Sequence, residues 1–142
     1  GGEAAVNQQG GRGTTALAQA AALGCTAEAR LLLQHGADPN LADNDGNTPL
    51  IVAAMASGDA GLEVARLLLE AGADVNSQSK TGAAALHFAC MLSNVKVAEL
   101  LLEHGADQHL RGTRGDAKAY AEDAVCKEEM LAQLAVLRVV GE

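Results

Sequence analysis

The feature that most constrains this chain is a ten-residue pattern that occurs three times. LLLQHGADPN begins at Leu31, LLLEAGADVN at Leu67 and LLLEHGADQH at Leu100, so the copies are almost evenly spaced. A repeat of roughly 20 to 50 residues is too small to bury its own apolar face, and successive copies must stack. The chain is therefore predicted to be a solenoid of repeated units.

Glycines keep the same register as the leucine-rich pattern. Gly13, Gly46, Gly82 and Gly115 recur with a period of about 33 residues, and only the second interval is longer, by three residues. This three-residue insertion lies in MASGDAGLE, residues 55–63. We expect it to lengthen a surface loop between two helices.

Asn7 lies six residues before Gly13, a spacing that later repeats share, so EAAVN at residues 3–7 resembles the tail of an earlier repeat.

Each unit has the local signals of a helix pair. Thr48 can cap a helix with its hydroxyl, and Pro49 suits the first helical position because no N–H is needed there. The apolar residues that follow predict a short inner helix, and the leucine-rich run predicts a second, outer helix. Gly72 is expected to end the outer helix in a left-handed conformation, as are Gly36 and Gly105. Polar runs such as NLADNDG predict the hairpin tips between units.

Two segments, DNDGNTPLIVAA at residues 43–54 and LEVARLLLEAGADVN at residues 62–76, closely resemble the ankyrin repeat. The resemblance covers residues 10–110 and weakens after Arg111. It implies an all-α solenoid of antiparallel helix pairs joined by β-hairpin-like loops, with no enzymatic activity typical of the fold. We expect one domain with the following parts: a remnant at 1–9, repeats at 10–42, 43–78 and 79–111, and a degenerate cap with a C-terminal helix at 112–142.

Some positions depart from the family pattern. Ala18 and Ile51 stand where the family often has histidine, and Ala84-Ala85 replaces Thr-Pro in repeat three. Those positions are predicted to lose a hydrogen bond or a helix cap. His87 stands where the family carries a structural histidine that bonds a neighbouring backbone. We expect the terminal units to be less stable than repeats two and three, which pack on both sides.

Composition and charge limit the classes of partner. The 142 residues are 49% apolar, and no stretch is long and apolar enough to span a bilayer or to form a secretory signal. A formal charge of −8 argues against nucleic acid and favours a neutral or basic protein or peptide. Residues 28–76 contain eight acidic and two basic side chains, and residues 78–118 contain four and five. The charge is expected to change sign along the solenoid, although ordinary solvated faces also carry such runs.

Each group of residues that could bind phosphate, ligate a metal or act as a catalytic triad has a simpler structural explanation. GGRGTT at residues 10–15 precedes a helix but lacks the P-loop lysine, and its register makes it the first tip. His87 with Cys90, or His104 with His109, could ligate a metal by type, yet neither pair belongs to a set of four ligands. No Ser, His and Asp set is recognisable as a triad. We predict no catalytic residues, no metal and no cofactor.

Cysteine usage predicts the compartment. Cys25, Cys90 and Cys126 are an odd number and include no Cys-x-x-Cys pair. This pattern fits reduced thiols in a cytoplasmic or nuclear protein.

The family resemblance implies a partner-binding surface at the positions that ankyrin proteins leave variable. At the tips these are Arg12, Thr14, Asn44, Asp45, Asn47, Lys80, Thr81, Arg114 and Asp116. On the inner helices they form an apolar stripe of Leu23, Met55, Met91, Leu92 and Val125. The stripe is predicted to face a partner; the alternative is that these side chains fill the space between successive inner helices.

These observations predict a monomeric, noncatalytic module that binds a protein through a concave groove and the hairpin tips. The alternative is a structural spacer or assembly segment of a larger protein, which the partial repeat before Gly13 favours. The resemblance further implies that Asn76 could be hydroxylated, since residues 68–76 match the LxxxxxDVN context of an asparaginyl hydroxylase in animals. The alternative for Asn76 is a structural hydrogen bond within the hairpin backbone.

Overall fold

The computed structural model describes residues 5–56, 59–113, 115–121, 132, 134 and 135. Within them, a 3-10 turn at Gly11–Gly13 precedes seven α-helices. These are α1 (Ala16–Leu23), α2 (Thr26–Gln34), α3 (Pro49–Met55), α4 (Asp59–Glu70), α5 (Ala85–Met91), α6 (Val95–Glu103) and α7 (Ala117–Ala121). None of the described residues lies in a β-strand. The predicted all-α repeat solenoid is confirmed, while the repeat boundaries stay predictions.

The helices stack in two rows. The inner helices α1, α3, α5 and α7 each pack on the next, and the outer helices α2, α4 and α6 do the same. The core lies between the rows and between successive repeats. It is built from residues at matching positions, such as Leu17, Leu50 and Leu86, each at most 2% exposed. Alanines at the contacts between helices allow this close packing.

The inner helices begin as the sequence predicts in repeats one and two. Thr15 Oγ1 accepts a hydrogen bond from the Ala18 backbone N–H at 3.1 Å, and Thr48 Oγ1 accepts one from Ile51 at 3.3 Å. Repeat three lacks this side-chain cap, also as predicted. There the Ala84 N–H donates to His87 Nδ1 at 2.8 Å instead. The two kinds of bond hold different backbone groups: each threonine hydroxyl accepts from the N–H three residues later, whereas the His87 ring accepts from the N–H three residues earlier.

Glycines end the outer helices. Gly36, Gly72 and Gly105 follow α2, α4 and α6 with φ angles of 92°, 96° and 88°. This is the left-handed region, where an L-residue with a Cβ is strained. The predicted role of these glycines is confirmed.

The three-residue insertion differs from the predicted surface loop. Helix α4 has 12 residues, whereas α2 and α6 have nine each. The extra residues 59–61 form an additional first turn, which Asp59 favours because a carboxylate stabilises a helix N-terminus. Gly61 is buried, and an added Cβ there would lie 2.6 Å from the Ala53 carbonyl oxygen. Ser57 and Gly58 of the insertion lie outside the described residues.

Successive repeats are joined by an asparagine clasp, which we define as the side chains of Asn7, Asn40 and Asn76. In each case the amide oxygen accepts from an aspartate backbone N–H of the next repeat, and the amide nitrogen donates to the carbonyl of a helix-ending glycine. The first distances are 2.7, 2.7 and 2.8 Å, to Asp38, Asp74 and Asp107. The second are 3.3, 3.3 and 3.4 Å, to Gly36, Gly72 and Gly105. The clasp repeats the same geometry at three junctions.

No helix in the described part of the chain is long and apolar enough to cross a membrane.

Candidate binding surface

The hairpin tips form a continuous row because each is hydrogen-bonded to the next. The Asn44 N–H donates to the Arg12 carbonyl at 2.9 Å, the Lys80 N–H to Asp45 at 3.0 Å and the Thr113 N–H to Thr81 at 3.2 Å. We call these linked loops the tip row; it contains Arg12, Asn44, Asp45, Lys80, Thr81 and Thr113. Its backbone bonds fix the spacing between tips without using any side chain.

Glycine permits this close approach of neighbouring tips. Gly46 has a φ of +79°, and an added Cβ would lie 2.9 Å from the Lys80 backbone nitrogen. Both the backbone angle and the contact therefore exclude a larger residue there. Arg12 adopts the left-handed conformation without being glycine, with a φ of 63°.

Most of the predicted tip residues lie on the outside of this row. The exposed ones are Arg12, Asn44, Asp45, Lys80 and Thr81, and the half-buried ones are Thr14, Asn47 and Asp116. Asp116 has a local role, since its Oδ1 accepts from the Ala119 N–H at 3.1 Å at the start of α7. Arg114 lies outside the described residues. Whether these side chains contact a partner stays a prediction.

A shallow groove of about 570 Å³ runs between the first tip and the inner helices of repeats one and two. We call it the inner-helix groove; its lining includes Gly11, Thr14, Gln19, Ala22 and Val52. Only Thr14 was a predicted site residue. The repeat register could have identified Gln19 and Val52, which stand at the same helix position in repeats one and two and are both at least partly exposed.

The predicted apolar stripe spans two neighbouring helix positions. By register Leu23 matches Leu92, and Met55 matches Met91. Leu23 and Leu92 are 69% and 47% exposed. Met55 and Met91 are half-buried and pack against the core, as expected if these side chains fill the space between successive inner helices. Val125 lies outside the described residues.

Leu23 lies in a different groove from the one expected. It lines a surface of about 400 Å³ between α1 and α2, at the N-terminal end of the stack, together with Leu31 and Leu32. Leu31 is 57% exposed. This surface was not predicted from the sequence, although the repeat register contains a signal: the position of Leu31 is occupied in repeat three by Leu100, which is only 3% exposed.

His87 and Cys90 are buried, and each has a structural explanation. Among the described residues, no group of three or more His, Cys, Asp or Glu side chains could hold a metal ion. His87 Nε2 donates to the Leu110 carbonyl at 2.8 Å, since Nδ1 already accepts from Ala84. The predicted structural histidine is thereby confirmed. Burial raises the pKa of the Cys90 thiol from 9.0 to about 12, so the thiol is not ionised at neutral pH.

The GGRGTT segment folds as the first tip. Its Gly10 N–H donates to the Thr14 carbonyl at 2.9 Å within the loop. Asn76 uses both amide atoms in its clasp, with Asp107 and Gly105 as partners. The structural hydrogen bonds expected as the alternative for Asn76 are thus present, and its hydroxylation stays a prediction.

Comparison with known proteins supports the architecture built from these residues. The family model for ankyrin repeats (3 copies) matches residues 1–79 and 63–112. A comparison with curated proteins gave no match. The matched segments contain the three asparagine clasps and the tips of the first three repeats, and they cover well over half of the chain. The chain therefore belongs to the ankyrin-repeat family.

Proposed function

We propose that this chain is a noncatalytic protein-binding module that holds one partner on the tip row and the adjoining inner-helix groove. Ankyrin repeats are generally protein–protein interaction modules, and the family is typically noncatalytic. The observation that carries the proposal is the set of backbone hydrogen bonds along the tip row. A surface whose spacing is fixed before binding loses little conformational entropy when a partner docks.

The charges on the tip row define the partner that fits it. Arg12, Asp45 and Lys80 are exposed and give the order positive, negative, positive along successive tips. A partner with acidic, basic and acidic groups at matching intervals would pair with each of them. The formal charge of −8 on the whole chain favours a partner that is neutral or basic overall.

Apolar side chains at the C-terminal end of the inner helix α5 would add to binding. Leu92 is 47% exposed, and Met91 beside it is half-buried. A methionine adapts its shape to a partner because its side chain is unbranched and flexible. An apolar side chain of the partner that docks against Leu92 would be removed from water on binding.

We also propose that the protein acts as a monomer in the cytoplasm or nucleus. Free thiols support a reducing compartment: Cys90 is buried and Cys25 is half-buried, and neither is in a disulfide. A chain with a formal charge of −8 repels other copies of itself, which supports the monomer.

The test is a quantitative pull-down with two charge-reversed variants. The tip variant carries Arg12→Glu, Asp45→Lys and Lys80→Glu. The control carries Arg30→Glu, Glu70→Lys and Lys96→Glu on the exposed faces of the outer helices. Both variants change the net charge equally, and circular dichroism and melting must first show that both are folded.

A partner captured by the native chain and by the control, but lost from the tip variant, is the expected result. A partner that is retained by the tip variant and lost from the control would place binding on the outer helices and overturn the proposal. Loss from both variants would indicate attraction by overall charge, and would equally contradict a specific tip site.

A further inference from the structure

Glutamine side chains bridge two of the three junctions between neighbouring hairpin tips. In each case the side-chain amide donates to a carbonyl of its own tip and to a carbonyl at the base of the next tip. The distances are 2.8 and 2.9 Å for Gln9, to Gly13 and Ala42, and 2.7 and 3.4 Å for Gln78, to Gly82 and Arg111. The first tip is thereby joined to the second, and the third to the fourth.

The junction between the second and third tips lacks this bridge. The bridging position there is Ala42, which lies 33 residues after Gln9 and 36 residues before Gln78 and has no side-chain donor. By register an amide at this position would reach the carbonyls of Gly46 and Gln78. No side chain of the described residues donates to either carbonyl. We call this junction the seam, defined by Ala42, Asp45, Gly46, Gln78 and Lys80.

One backbone hydrogen bond joins the two tips at the exposed end of the seam. The Lys80 N–H donates to the Asp45 carbonyl at 3.0 Å. The clasp of Asn40 joins the same two repeats, but it lies at the ends of the outer helices. An intramolecular hydrogen bond contributes only modestly when water can replace it, so the absence of one bridge favours local opening here.

The same two repeats have additional side-chain contacts at the opposite edge of the stack. Asn94 Nδ2 donates to the carbonyls of Ala54 and Ala56 at the end of α3, at 2.8 and 3.3 Å. Lys96 Nζ also lies 3.4 Å from Asp59 Oδ1, although this exposed ion pair contributes little. In the described part of the chain, no side-chain hydrogen bond or ion pair joins repeats one and two at this edge.

The distribution of these contacts defines a hinge, and we propose that the stack flexes at the seam around a pivot near Asn94. The closed tip row is the ground state. In the minor open state the second and third tips separate, and the hydrogen bond between Lys80 and Asp45 is broken. The first and second tips then move as one body and the third and fourth as another, because glutamine bridges each pair.

Flexing at the seam affects the proposed binding surface. Asp45 and Lys80 lie on opposite sides of the seam and are exposed, so opening increases the distance between these two charges. A partner that pairs with both would favour the closed state, since it binds that state better. This consequence rests on the proposed function, whereas the hinge itself does not.

The proposal and opening from the ends of the stack make opposite predictions for one amide. Asn44 and Lys80 carry equivalent N–H groups, each bonded to the preceding tip. If the tips opened only from the ends, the Lys80 amide would be better protected because its junction lies farther from the first repeat. Flexing at the seam makes the Lys80 amide less protected than that of Asn44.

Hydrogen exchange followed by NMR on the native chain measures both amides. The protection factor, which corrects for intrinsic exchange rates, should be at least about fivefold smaller for Lys80 than for Asn44. Equal or greater protection of Lys80 would overturn the proposal. No partner takes part in this measurement, so its failure leaves the proposed partner-binding function standing.

A variant that supplies the missing bridge provides a second test. Ala42→Gln should donate to the carbonyls of Gly46 and Gln78 and raise the protection of the Lys80 amide at least about threefold. The matched control is Ala42→Met, whose side chain has a similar length but no donor, and it should leave Lys80 as in the native chain. An equal increase in the two variants would attribute the effect to packing and contradict the hinge.

Removing an existing bridge should have the reverse effect. Gln9→Ala is expected to lower the protection of the Asn44 amide to about that of Lys80 in the native chain. Unchanged protection of Asn44 would show that the glutamine bridges do not restrain the tips, and would overturn the proposal.

The pivot is tested in the same spectra. The side-chain amide protons of Asn94 should exchange at least about fivefold more slowly than those of the exposed Asn44, since Asn94 stays bonded to α3 while the seam opens. Equally fast exchange of the two side chains would place no pivot at Asn94 and would contradict the proposed hinge.

Discussion

At the scale of single residues, His87 joins two parts of the third repeat to the inner helix that follows it. Its ring is 1% exposed, accepts from the Ala84 N–H and donates to the Leu110 carbonyl in the following loop. The ring also packs against Tyr120 of α7, with centroids 4.6 Å apart and an angle of 49° between the planes. One side chain thereby caps a helix, fixes a hairpin and contacts the next inner helix.

Replacing His87 should therefore destabilise the protein more than replacing another histidine. His87→Ala leaves two backbone groups without their partner and opens a cavity beside Tyr120, so we expect a loss of about 3 kcal/mol in the free energy of unfolding. The control is His104→Ala, an exposed histidine at the end of α6, with an expected change within about 0.5 kcal/mol. Urea denaturation measures both. Equal losses would mean that the buried hydrogen bonds of His87 contribute little.

The buried thiol of Cys90 makes stability depend on pH in the alkaline range. Its folded-state pKa of about 12 exceeds the ordinary value of 9.0, so above pH 9 the unfolded chain releases a proton that the folded chain retains. The contribution is fully present below pH 9 and is lost as pH rises toward 12. Relative to Cys90→Ala, the native chain should lose about 1.4 kcal/mol by pH 10. Denaturation of both chains at pH 8 and pH 10 tests this, and parallel losses would contradict the assignment to Cys90.

At the scale of helices, sequence predicted the elements whose causes are local. Thr48-Pro49 and Gly72 determine the start of α3 and the end of α4 through their own backbone preferences, and both appear where expected. The insertion before α4 was predicted wrongly as a loop. Its glycine and aspartate suggested one, but Gly61 instead lets the extended helix approach the backbone of Ala53. Contacts with a neighbouring helix decided the outcome, and they are not visible in the local sequence.

The candidate surfaces were less predictable for the same reason. Exposed tip residues such as Arg12 and Asp45 follow from the repeat register alone. The exposure of Leu31 depends on which unit covers it, since the same residue type at Leu100 is buried. Whether a side chain at the contact between two repeats is exposed or buried cannot be predicted from the sequence of its own repeat alone.

The cap of α3 gives a prediction at this scale. Thr48→Ala removes the hydroxyl that accepts from the Ile51 N–H and should lower the free energy of unfolding by about 1 kcal/mol. Thr48→Ser keeps the hydroxyl and should retain most of that stability. Thermal denaturation of the two variants makes the comparison, and a serine variant as unstable as the alanine variant would attribute the loss to the buried methyl group.

At the scale of the whole molecule, stability is distributed along the stack because each helix contacts only its neighbours. Helix α4 packs against α1, α2, α3 and α6, whereas α2 packs against α1 and α4. Opening the first outer helix therefore breaks fewer contacts than opening the second. A linear array of this kind opens preferentially at its ends.

Hydrogen exchange should resolve this difference. Backbone amides in α2 are expected to exchange at least about tenfold faster than those in the centre of α4, since the free energy of local opening is smaller. The measurement is deuterium uptake by mass spectrometry on the native chain at neutral pH. Equal protection of the two helices would show that the stack opens as one cooperative unit.

The asparagine clasp has a consequence for how such a gene can change. Each clasp takes one side chain from the unit before the junction and only main-chain groups from the unit after it. In the unit that follows, the joint requires only the glycine that ends the outer helix. Recombination that copies or deletes one whole repeat leaves every joint chemically intact, whereas a shift of one residue would move the asparagine away from its partners. The array can therefore lengthen or shorten by whole units while the side chains on its surface diverge independently.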